Sequence, residues 1–591
     1  MPCLAFVPTL THKTKNMRNS LFIFYTLLLG IIGSLFLRNN DAAVTIKQIQ
    51  DEKVSQLIAC APGADENIYV GSDGKFIGVM PGWGNHFYKI STESDSAQFY
   101  FDQGLTMYYS YHAREAVASF KEASKFDSSS AMTYWGQALA MGPAYNGGYS
   151  YKMKKDVPAV IQRMNSATSK ISDEEKDLID AMNSRYNTTD TADKQRKQLN
   201  AMYAGAMQPL VAKYPGDLDV KALYTDAVML IHAWDFWNND GTPKAWTPEL
   251  VENCQDILKQ DPHHPAGLHY YIHVTEASRD PNIALSSADS LIKLFPGIAH
   301  MVHMSSHEYE RIGYYAKGID ANEKADKCLV AYDALNKGMY PMLHSTHYFA
   351  VDAYCALSGA MYSKAIPKAL ACRHNTKPTH EDNGLQYAYM FPELAMVRMG
   401  KWQDILTDTA NINADWIYAT LLNDFAKGMA YAKTGNTEQA ENYLKQLKSA
   451  QEDSILKVKH PASSSPYEAS IVAENILSAN ILFQNKKYDE ALMTIKKAIQ
   501  AEDSLIYSEP KEWMLPARQY MGAFLLKLNK PAEAEKVYRE DLVWNPGNGW
   551  SLLGLYQSLK AQQKSNELDK LKQLYMHSFS QADVLPAGSA Y

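Results

Sequence analysis

The sequence predicts an all-α protein in which repeated helix pairs share one continuous core. Three observations predict this fold class. Apolar residues follow a helical period from Ala97 almost to the C-terminus. No segment alternates a strand pattern with a helix pattern, which argues against a parallel sheet. Small and aromatic residues recur at fixed offsets, and a helix pair of that kind must stack on its neighbours to bury its apolar face.

The recurring residues have the spacing of tetratricopeptide (TPR) repeats, which are helix pairs with a 34-residue period. Members of three sets follow the first residue at offsets of 12, 16 and 19. The sets are Gly104, Ala116, Phe120 and Ala123; Ala479, Ala491, Ile495 and Ala498; and Gly522, Ala534, Tyr538 and Asp541. We therefore expect a TPR-like α-solenoid, a right-handed superhelix of antiparallel helix pairs, over residues 96–575, followed by a C-terminal tail over 576–591.

The N-terminal residues have the pattern of a secretory signal. Lys13, Lys15 and Arg18 precede an uncharged, mostly apolar run over residues 21–37, an order typical of signal peptides. Because a run of 17 residues is near the lower limit for a bilayer span, an uncleaved membrane anchor is the alternative. We expect residues 1–43 to be the signal or anchor, which places the rest of the chain in the periplasm or outside the cell, with membrane contact only through this segment if it is uncleaved.

Residues 44–95 differ from the helical part. Gly-rich turns over 71–74 and 81–84 separate short apolar runs, a pattern that predicts an irregular or β-hairpin cap before the first helix.

Composition limits the function classes. The chain has 591 residues, and its 58 basic and 65 acidic side chains give a formal net charge of −7. This balance excludes a strongly basic nucleic-acid binder, so we expect no nucleic-acid partner. The hydrophobic share of 46% is enough to bury a core and argues against disorder.

Histidine placement carries the main chemical signal. Seven of the 17 histidines lie in the window from His269 to His347, far more than uniform scatter would give. His269 and His273 form one HxxxH segment, and His303 and His307 form another. On a helix this spacing places both imidazoles on one face. Corresponding members are 34 residues apart, so the two pairs occupy equivalent positions on successive repeats.

Other candidate residues lie nearby. His300 is one turn before His303, and His344 and His347 lie near the start of the next first helix. Glu276 lies two turns beyond His269 on the same face. We expect it to be an oxygen ligand, a hydrogen-bond partner of an imidazole, or a general base.

Clustered neutral imidazoles are typical of a transition-metal site, with zinc or copper the metals that all-imidazole ligation suits best. The two HxxxH pairs could converge on one ion across the gap between packed helices, or the histidines could serve two ions with about three ligands each. The alternatives are hydrogen-bonded core histidines and a histidine-lined pocket for an anion. Two aromatic segments, 234–237 and 507–513, are interpreted as packing; the alternatives are a cofactor site for the first and a ligand contact for the second.

The chain resembles a family of bacterial TPR proteins that have paired HxxxH segments and no assigned reaction. The stretches that carry the resemblance include FDQGLTMYYSYHAREAVASFKEAS, HHPAGLHYYIHVTEAS, PGIAHMVHMSSHEYERIGYY and YREDLVWNPGNGWSLLGL. The segment LHSTHYF keeps the two histidines of the family's HxxH and differs between them. The resemblance implies the fold and implies no substrate.

Three functions compete. The first is a metal-dependent enzyme of the cell envelope that acts on a small molecule, with Glu276 as the catalytic base or as the partner of a ligand. The second is a TPR interaction scaffold that binds a peptide or partner protein in its concave groove without catalysis. The third is a metal store or carrier, whose site would be fully ligated and closed.

Overall fold

The structure is a computed structural model that describes residues 68, 70–146, 151–167, 170–190, 192–335, 345–459 and 463–591. All of them lie in one compact unit, Ser55–Tyr591. The expected signal or anchor (1–43), the start of the expected cap (44–67) and His344 lie outside the described residues. Among the residues described, no helix is long and apolar enough to cross a bilayer.

The described chain is built from α-helices. The first of them are α1 (Asp95–Tyr109), α2 (Ala113–Phe126), α3 (Ala131–Met141), α4 (Val157–Ser166), α5 (Asp173–Ser184), α6 (Arg196–Lys213), α7 (Leu218–Ile231) and α8 (Thr247–Gln260). The central ones are α9 (Pro265–Thr275), α10 (Leu285–Leu294), α11 (Ala299–Arg311), α12 (Tyr315–Leu335), α13 (Thr346–Ser358), α14 (Tyr362–Asn375), α15 (Asn383–Tyr389), α16 (Phe391–Arg398) and α17 (Trp402–Thr407). The last are α18 (Ile417–Lys433), α19 (Thr437–Ala450), α20 (Pro466–Gln484), α21 (Tyr488–Asp503), α22 (Ala517–Lys527), α23 (Pro531–Trp544), α24 (Gly549–Ala561) and α25 (Leu568–Ser578).

Successive helices pack in antiparallel pairs, as the repeat spacing predicts. Helix α1 packs on α2, α11 on α12, and α20 on α21. The first helices of neighbouring pairs also touch, as α9 does with α11, α11 with α13, and α18 with α20. This pattern of nearest-neighbour contacts is that of a helical-repeat stack, and the all-α, TPR-like prediction is confirmed.

Close helix approach explains the small residues of the repeat. A Cβ added at Gly104 would lie 2.8 Å from the Phe120 ring, and one at Gly136 would lie 2.4 Å from it. Gly522 and Gly554 make the same approach to Tyr538, at 2.2 and 2.3 Å. In each case a ring from one helix fills the space that two glycines leave open on its neighbours.

The cap is irregular where it is described, and the β-hairpin form of the prediction is wrong there. Residues 70–94 contain neither a helix nor a strand. Several of their main-chain N–H groups donate to side chains of the first helix pair instead of to a partner strand. Met80 donates to Gln103 Oε1 at 2.8 Å, and Ile90 donates to Gln98 Oε1 at 3.0 Å. Because buried amides need only one acceptor each, these side chains make a second strand unnecessary.

Helix α9 has a well-defined start. Pro265 occupies its first turn, and the His264 imidazole accepts a hydrogen bond from the Gly267 N–H at 3.3 Å. Proline fits this position because its missing N–H would have no partner inside the helix. The start fixes the register of α9 and therefore the face on which its histidines lie.

Candidate metal centre

Three first helices of successive pairs carry the clustered histidines. The described members of the predicted set lie on α9, α11 and α13 and are His269, His273, His300, His303, His307 and His347. Each is at most 1% exposed to solvent. Helix α11 packs on both α9 and α13, which brings the six imidazoles into one buried region.

The imidazoles form two groups of three. The first triad is His269, His273 and His300, and the second triad is His303, His307 and His347. Within each triad the potential ligand nitrogens lie within 4.8 Å of one another. The triads adjoin, since the ring centroids of His300 and His303 are 6.1 Å apart. The HxxxH pairs therefore belong to separate groups, because α11 lies between α9 and α13 and contributes histidines to both.

Hydrogen bonds assign the proton positions in the first triad. Nδ1–H of His269 donates to the Tyr109 carbonyl at 2.6 Å, and Nδ1–H of His273 donates to Glu276 Oε1 at 3.1 Å. Each neutral ring then has a bare lone pair on Nε2. Nε2 of His269 lies 3.0 Å from Nε2 of His300. Nε2 of His273 is buried and has no hydrogen-bond partner among the described residues.

The second triad repeats the arrangement. Nδ1–H of His303 donates to Asn322 Oδ1 at 2.6 Å, and the Asn322 amide nitrogen donates to a carbonyl of its own helix, which fixes the amide orientation. Nδ1 of His307 lies 3.3 Å from Glu276 Oε2 and also contacts Glu509 Oε2. When Glu276 and Glu509 are in the carboxylate form, His307 holds its proton on Nδ1, and no hydrogen lies between the Nε2 atoms of His303 and His307, which are 2.7 Å apart. A cation at these nitrogens would favour that form, whereas burial alone raises the pKa of Glu276 and a neutral Glu276 would let one of the two imidazoles donate to the other.

Protonation does not resolve these contacts, because the site disfavours charge. Burial lowers the pKa of His273 to about 3. Burial, and then neighbouring imidazoles, hold four further pKa values well below the ordinary range; they belong to His269, His300, His303 and His307. A hydrogen on Nε2 of His300 would satisfy His269 and would still leave His273 Nε2 unpartnered.

The triads fit a metal ion. Two nitrogens on one tetrahedral zinc ion, with bonds of about 2.0–2.1 Å, lie roughly 3.3 Å apart. The two Nε2 pairs, at 3.0 and 2.7 Å, are a few tenths of an ångström closer and would separate slightly around an ion. An ion accepts the lone pairs that otherwise repel, and Nδ1–H bonds to oxygen acceptors are the usual support of metal-bound histidine.

Glu276 lies between the triads and supports both. Its Oε1 accepts from His273 of the first triad, and its Oε2 faces His307 of the second. Burial raises the pKa of its carboxyl group, and Arg311 opposes that shift. The contacts of Glu276 with Nδ1 atoms are those of a hydrogen-bond partner. Its carboxylate also lies within 4.8 Å of ligand atoms of His307 and Glu509, an arrangement that an oxygen ligand would have.

A third cluster, formed by His86, Asp219 and His264, differs from the two triads. Asp219 Oδ1 accepts from the Tyr109 hydroxyl at 2.7 Å and pairs with His86 Nε2 at 2.8 Å. His264 Nε2 lies 3.5 Å from the same oxygen and makes no hydrogen bond among the described residues. Because Nδ1 of His264 accepts from Gly267, its proton lies on Nε2 and faces Asp219. In this cluster the imidazoles face a carboxylate oxygen and not each other's lone pairs, so charge complementarity accounts for the arrangement without an ion.

A tyrosine in an unusual backbone conformation covers the first triad. Tyr111 has φ of 57°, a left-handed value that costs energy in a bulky residue. Its ring centroid lies 4.6 Å from that of His269 and 5.6 Å from those of His273 and His300. The turn that produces this φ also directs the Tyr109 carbonyl toward His269.

Sequence reasoning missed several supporting residues. Asn322, which holds His303, lies inside the histidine window but on the second helix of its pair, where no histidine directs attention to it. The Tyr109 carbonyl, which holds His269, lies outside the window and has no side-chain signal. Glu509 lies in the aromatic segment 507–513, which was interpreted as packing. The signal available in the sequence was that Glu509 lies among aromatic side chains and hydrogen-bond acceptors that are clustered in this segment.

Comparison with known proteins is limited to the fold. No protein-family model and no curated protein matches the sequence. Solved structures that resemble it include the human IFIT1 dimer with m7Gppp-AAAA, with 11% identity and a TM-score of 0.30 over 83% of this chain and 91% of that one. The APC/C hetero-tetramer Cut9-Hcn1 has 12% identity and a TM-score of 0.25 over 83% and 75%. The P58(IPK) TPR domain has 14% identity and a TM-score of 0.17 over 57% and 93%. Likeness at this level transfers no site and no function.

Proposed function

We propose that the protein binds transition-metal ions at the two triads and uses them to act on a small molecule. The observation that carries the proposal is the convergence of buried Nε2 atoms: Nε2 of His273 has no hydrogen-bond partner among the described residues, and Nε2 of His303 lies 2.7 Å from Nε2 of His307. Around Asp219, by contrast, the imidazoles face a carboxylate oxygen that can accept their protons. A cation in each triad is the simplest way to make these contacts favourable.

Three histidines per ion favour a reactive site over a closed one. Structural zinc sites have four protein ligands, whereas catalytic sites have three and an open position. All-imidazole ligation suits zinc or copper. A bound divalent ion would supply Lewis acidity and lower the pKa of a coordinated water. The protein's own contribution is to orient the imidazoles through Glu276, Asn322 and the Tyr109 carbonyl, and to keep bulk water away by burial.

Access comes from one side. His273 and Glu276 form part of the wall of a cavity of about 120 Å³ between the α9 region and the α21–α22 region. A small molecule in this cavity would lie beside the first triad. We also propose the periplasm or cell exterior as the location, on the basis of the expected signal, and membership of the bacterial TPR family with paired HxxxH segments.

Metal analysis of the purified full chain tests the proposal. Elemental mass spectrometry is expected to find up to two equivalents of zinc or copper, retained through gel filtration without chelator. The His269→Ala, His303→Ala double variant should lose this metal and keep its helical circular dichroism. The matched control, His86→Ala, alters the hydrogen-bonded cluster and should retain it. Less than about a tenth of an equivalent in the wild-type protein would refute the proposal.

The helical-repeat stack by itself favours a second function, the binding of a protein partner. Stacks of this kind include the hetero-tetramer Cut9-Hcn1. The expectation of no nucleic-acid partner gains no support, because the IFIT1 structure holds m7Gppp-AAAA. Pull-down with metal-free and metal-loaded protein distinguishes the functions, since a scaffold whose histidines are only core residues would bind its partner regardless of metal.

A further inference from the structure

We propose that the cavity beside the first triad binds a small aromatic or similarly compact carboxylate. This inference rests on the proposed function and names its substrate class. The cavity shares His273 and Glu276 with the metal centre, so a ligand that fills it would lie directly beside the first triad. The argument comes from the charges and rings of the other walls.

Two arginines in the wall have no carboxylate partner. Arg311 is 3% exposed and donates to main-chain carbonyls of Glu276 at 2.8 Å and Ser278 at 2.9 Å. Arg279 donates to the Asn239 carbonyl. Among the residues the structure describes, neither guanidinium has a carboxylate within ion-pair distance. Arg311 is buried and interacts with the Glu276 carboxyl group only at longer range, and Arg279 is half-buried. No direct ion pair cancels either charge beside this cavity.

Acidic side chains also line the cavity: Glu276 faces the triads, and three others, Glu502, Asp503 and Glu512, lie on the opposite wall. Asp503 binds Arg518 through two hydrogen bonds of 2.6 and 2.7 Å. Glu502 accepts from the Ala517 N–H at 2.7 Å, and burial raises its pKa to about 8. Burial likewise raises the pKa of Glu512 to about 7. The two glutamates therefore have reduced negative charge near neutral pH.

A third cation, Lys511, adds positive charge to the wall of the cavity. The Lys511 side chain lines the same cavity and donates to the Asn545 side chain. No ion pair joins it to a carboxylate among the described residues, although burial and Arg311 lower its pKa. Together with the two arginines, it gives the cavity the charge that an organic anion requires.

The remaining walls are aromatic. Trp234, Tyr507 and Trp544 line the cavity, and the Arg279 guanidinium lies 3.6 Å from the centroid of the Trp544 ring. Stacking on an indole holds the guanidinium flat and directs its edge toward the cavity. The volume of about 120 Å³ is somewhat smaller than an apolar cavity of about 150 Å³ that admits benzene. One ring with a carboxylate is therefore at the upper limit of size, and its carboxylate would have to extend toward the arginines at the wall.

Calorimetric titration with benzoate tests the proposal on the full chain, both metal-loaded and metal-stripped. Benzyl alcohol has the same ring and no charge, and acetate has the charge and no ring. Benzoate should bind at least about tenfold more tightly than either probe. Arg279→Gln should weaken benzoate binding at least about tenfold and leave the metal content unchanged. Arg539→Gln, an exposed arginine paired with Glu567 at 2.8 Å far along the chain, is the matched control and should behave as wild type.

The outcomes separate the two proposals. Equal binding of benzyl alcohol and benzoate, no effect of Arg279→Gln, or no binding of either anion would overturn the carboxylate assignment. If the protein retains its metal in that case, only the substrate class is wrong. Tight benzoate binding by a protein that never holds metal would support the anion pocket and refute the metal centre.

Discussion

Removal of the Glu276 carboxylate should weaken metal binding unequally at the two triads. Glu276 Oε1 is the acceptor of His273 Nδ1–H, at 3.1 Å, in the first triad. In the second triad, His307 Nδ1 contacts both Glu276 and Glu509, so it keeps an acceptor when Glu276 is lost. Loss of such a partner typically costs a metal site 10–100-fold in affinity, about 1.4–2.7 kcal/mol.

We therefore expect Glu276→Ala to lower affinity about 10–100-fold at the first triad and less than about tenfold at the second. The Glu276→Gln variant keeps an oxygen that can accept from His273, so its metal affinity at the first triad should be close to that of the wild type. Titration of the metal against a chromophoric chelator of known affinity resolves the two sites. Arg311 holds the main-chain carbonyl of Glu276, so the backbone at this position should keep its place in both variants.

A control on the neighbouring helix separates this effect from general damage. Glu308 on α11 is fully buried, and neither of its carboxylate oxygens has a hydrogen-bond partner among the described residues. Glu308→Gln should leave both metal affinities unchanged. Equal weakening of the two sites by Glu276→Ala, or no weakening at either, would refute the assignment of Glu276 as the carboxylate that supports the triads.

Three further outcomes are expected. Asn322→Leu removes the acceptor of His303 and should weaken the second site about 10–100-fold with the first unchanged, as measured by the same titration. Gly136→Ala would place a Cβ 2.4 Å from the Phe120 ring and should lower the free energy of unfolding by about 1–3 kcal/mol in denaturant melts. Burial raises the pKa of Asp424 to about 7, so stability is lost as pH rises from about 4 to about 7. Asp424→Asn should therefore have a higher Tm than wild type at pH 8 and the same Tm near pH 4.

The repeat period was enough to predict the helical stack and the helices that carry the histidines. The 34-residue spacing between His269 and His303 places them on first helices of successive pairs, and in the structure α9 and α11 pack together. The division into two triads was only one of two open hypotheses. It depends on the position of α11 between α9 and α13, which spacing along the chain does not specify.

The supporting contacts could not be predicted from sequence because they join distant parts of the stack. Glu509 reaches His307 from a segment beyond α21, and that approach depends on how the whole stack curves. The Tyr109 carbonyl has no residue-type signal, because every residue has a carbonyl group. The structure of the cap was predicted from its turns alone. Its main-chain amides hydrogen-bond to Gln98 and Gln103 of α1, and the turns do not indicate these partners.

Crystallographic anomalous scattering at the zinc and copper absorption edges tests the central claim most directly. The account predicts one peak within each triad, with the Nε2 atoms of its histidines about 2.0–2.1 Å away and the Nδ1 atoms of His269 and His303 still bonded to Tyr109 and Asn322. A structure without peaks, in which each Nε2 instead donates to or accepts from a neighbour, would contradict it.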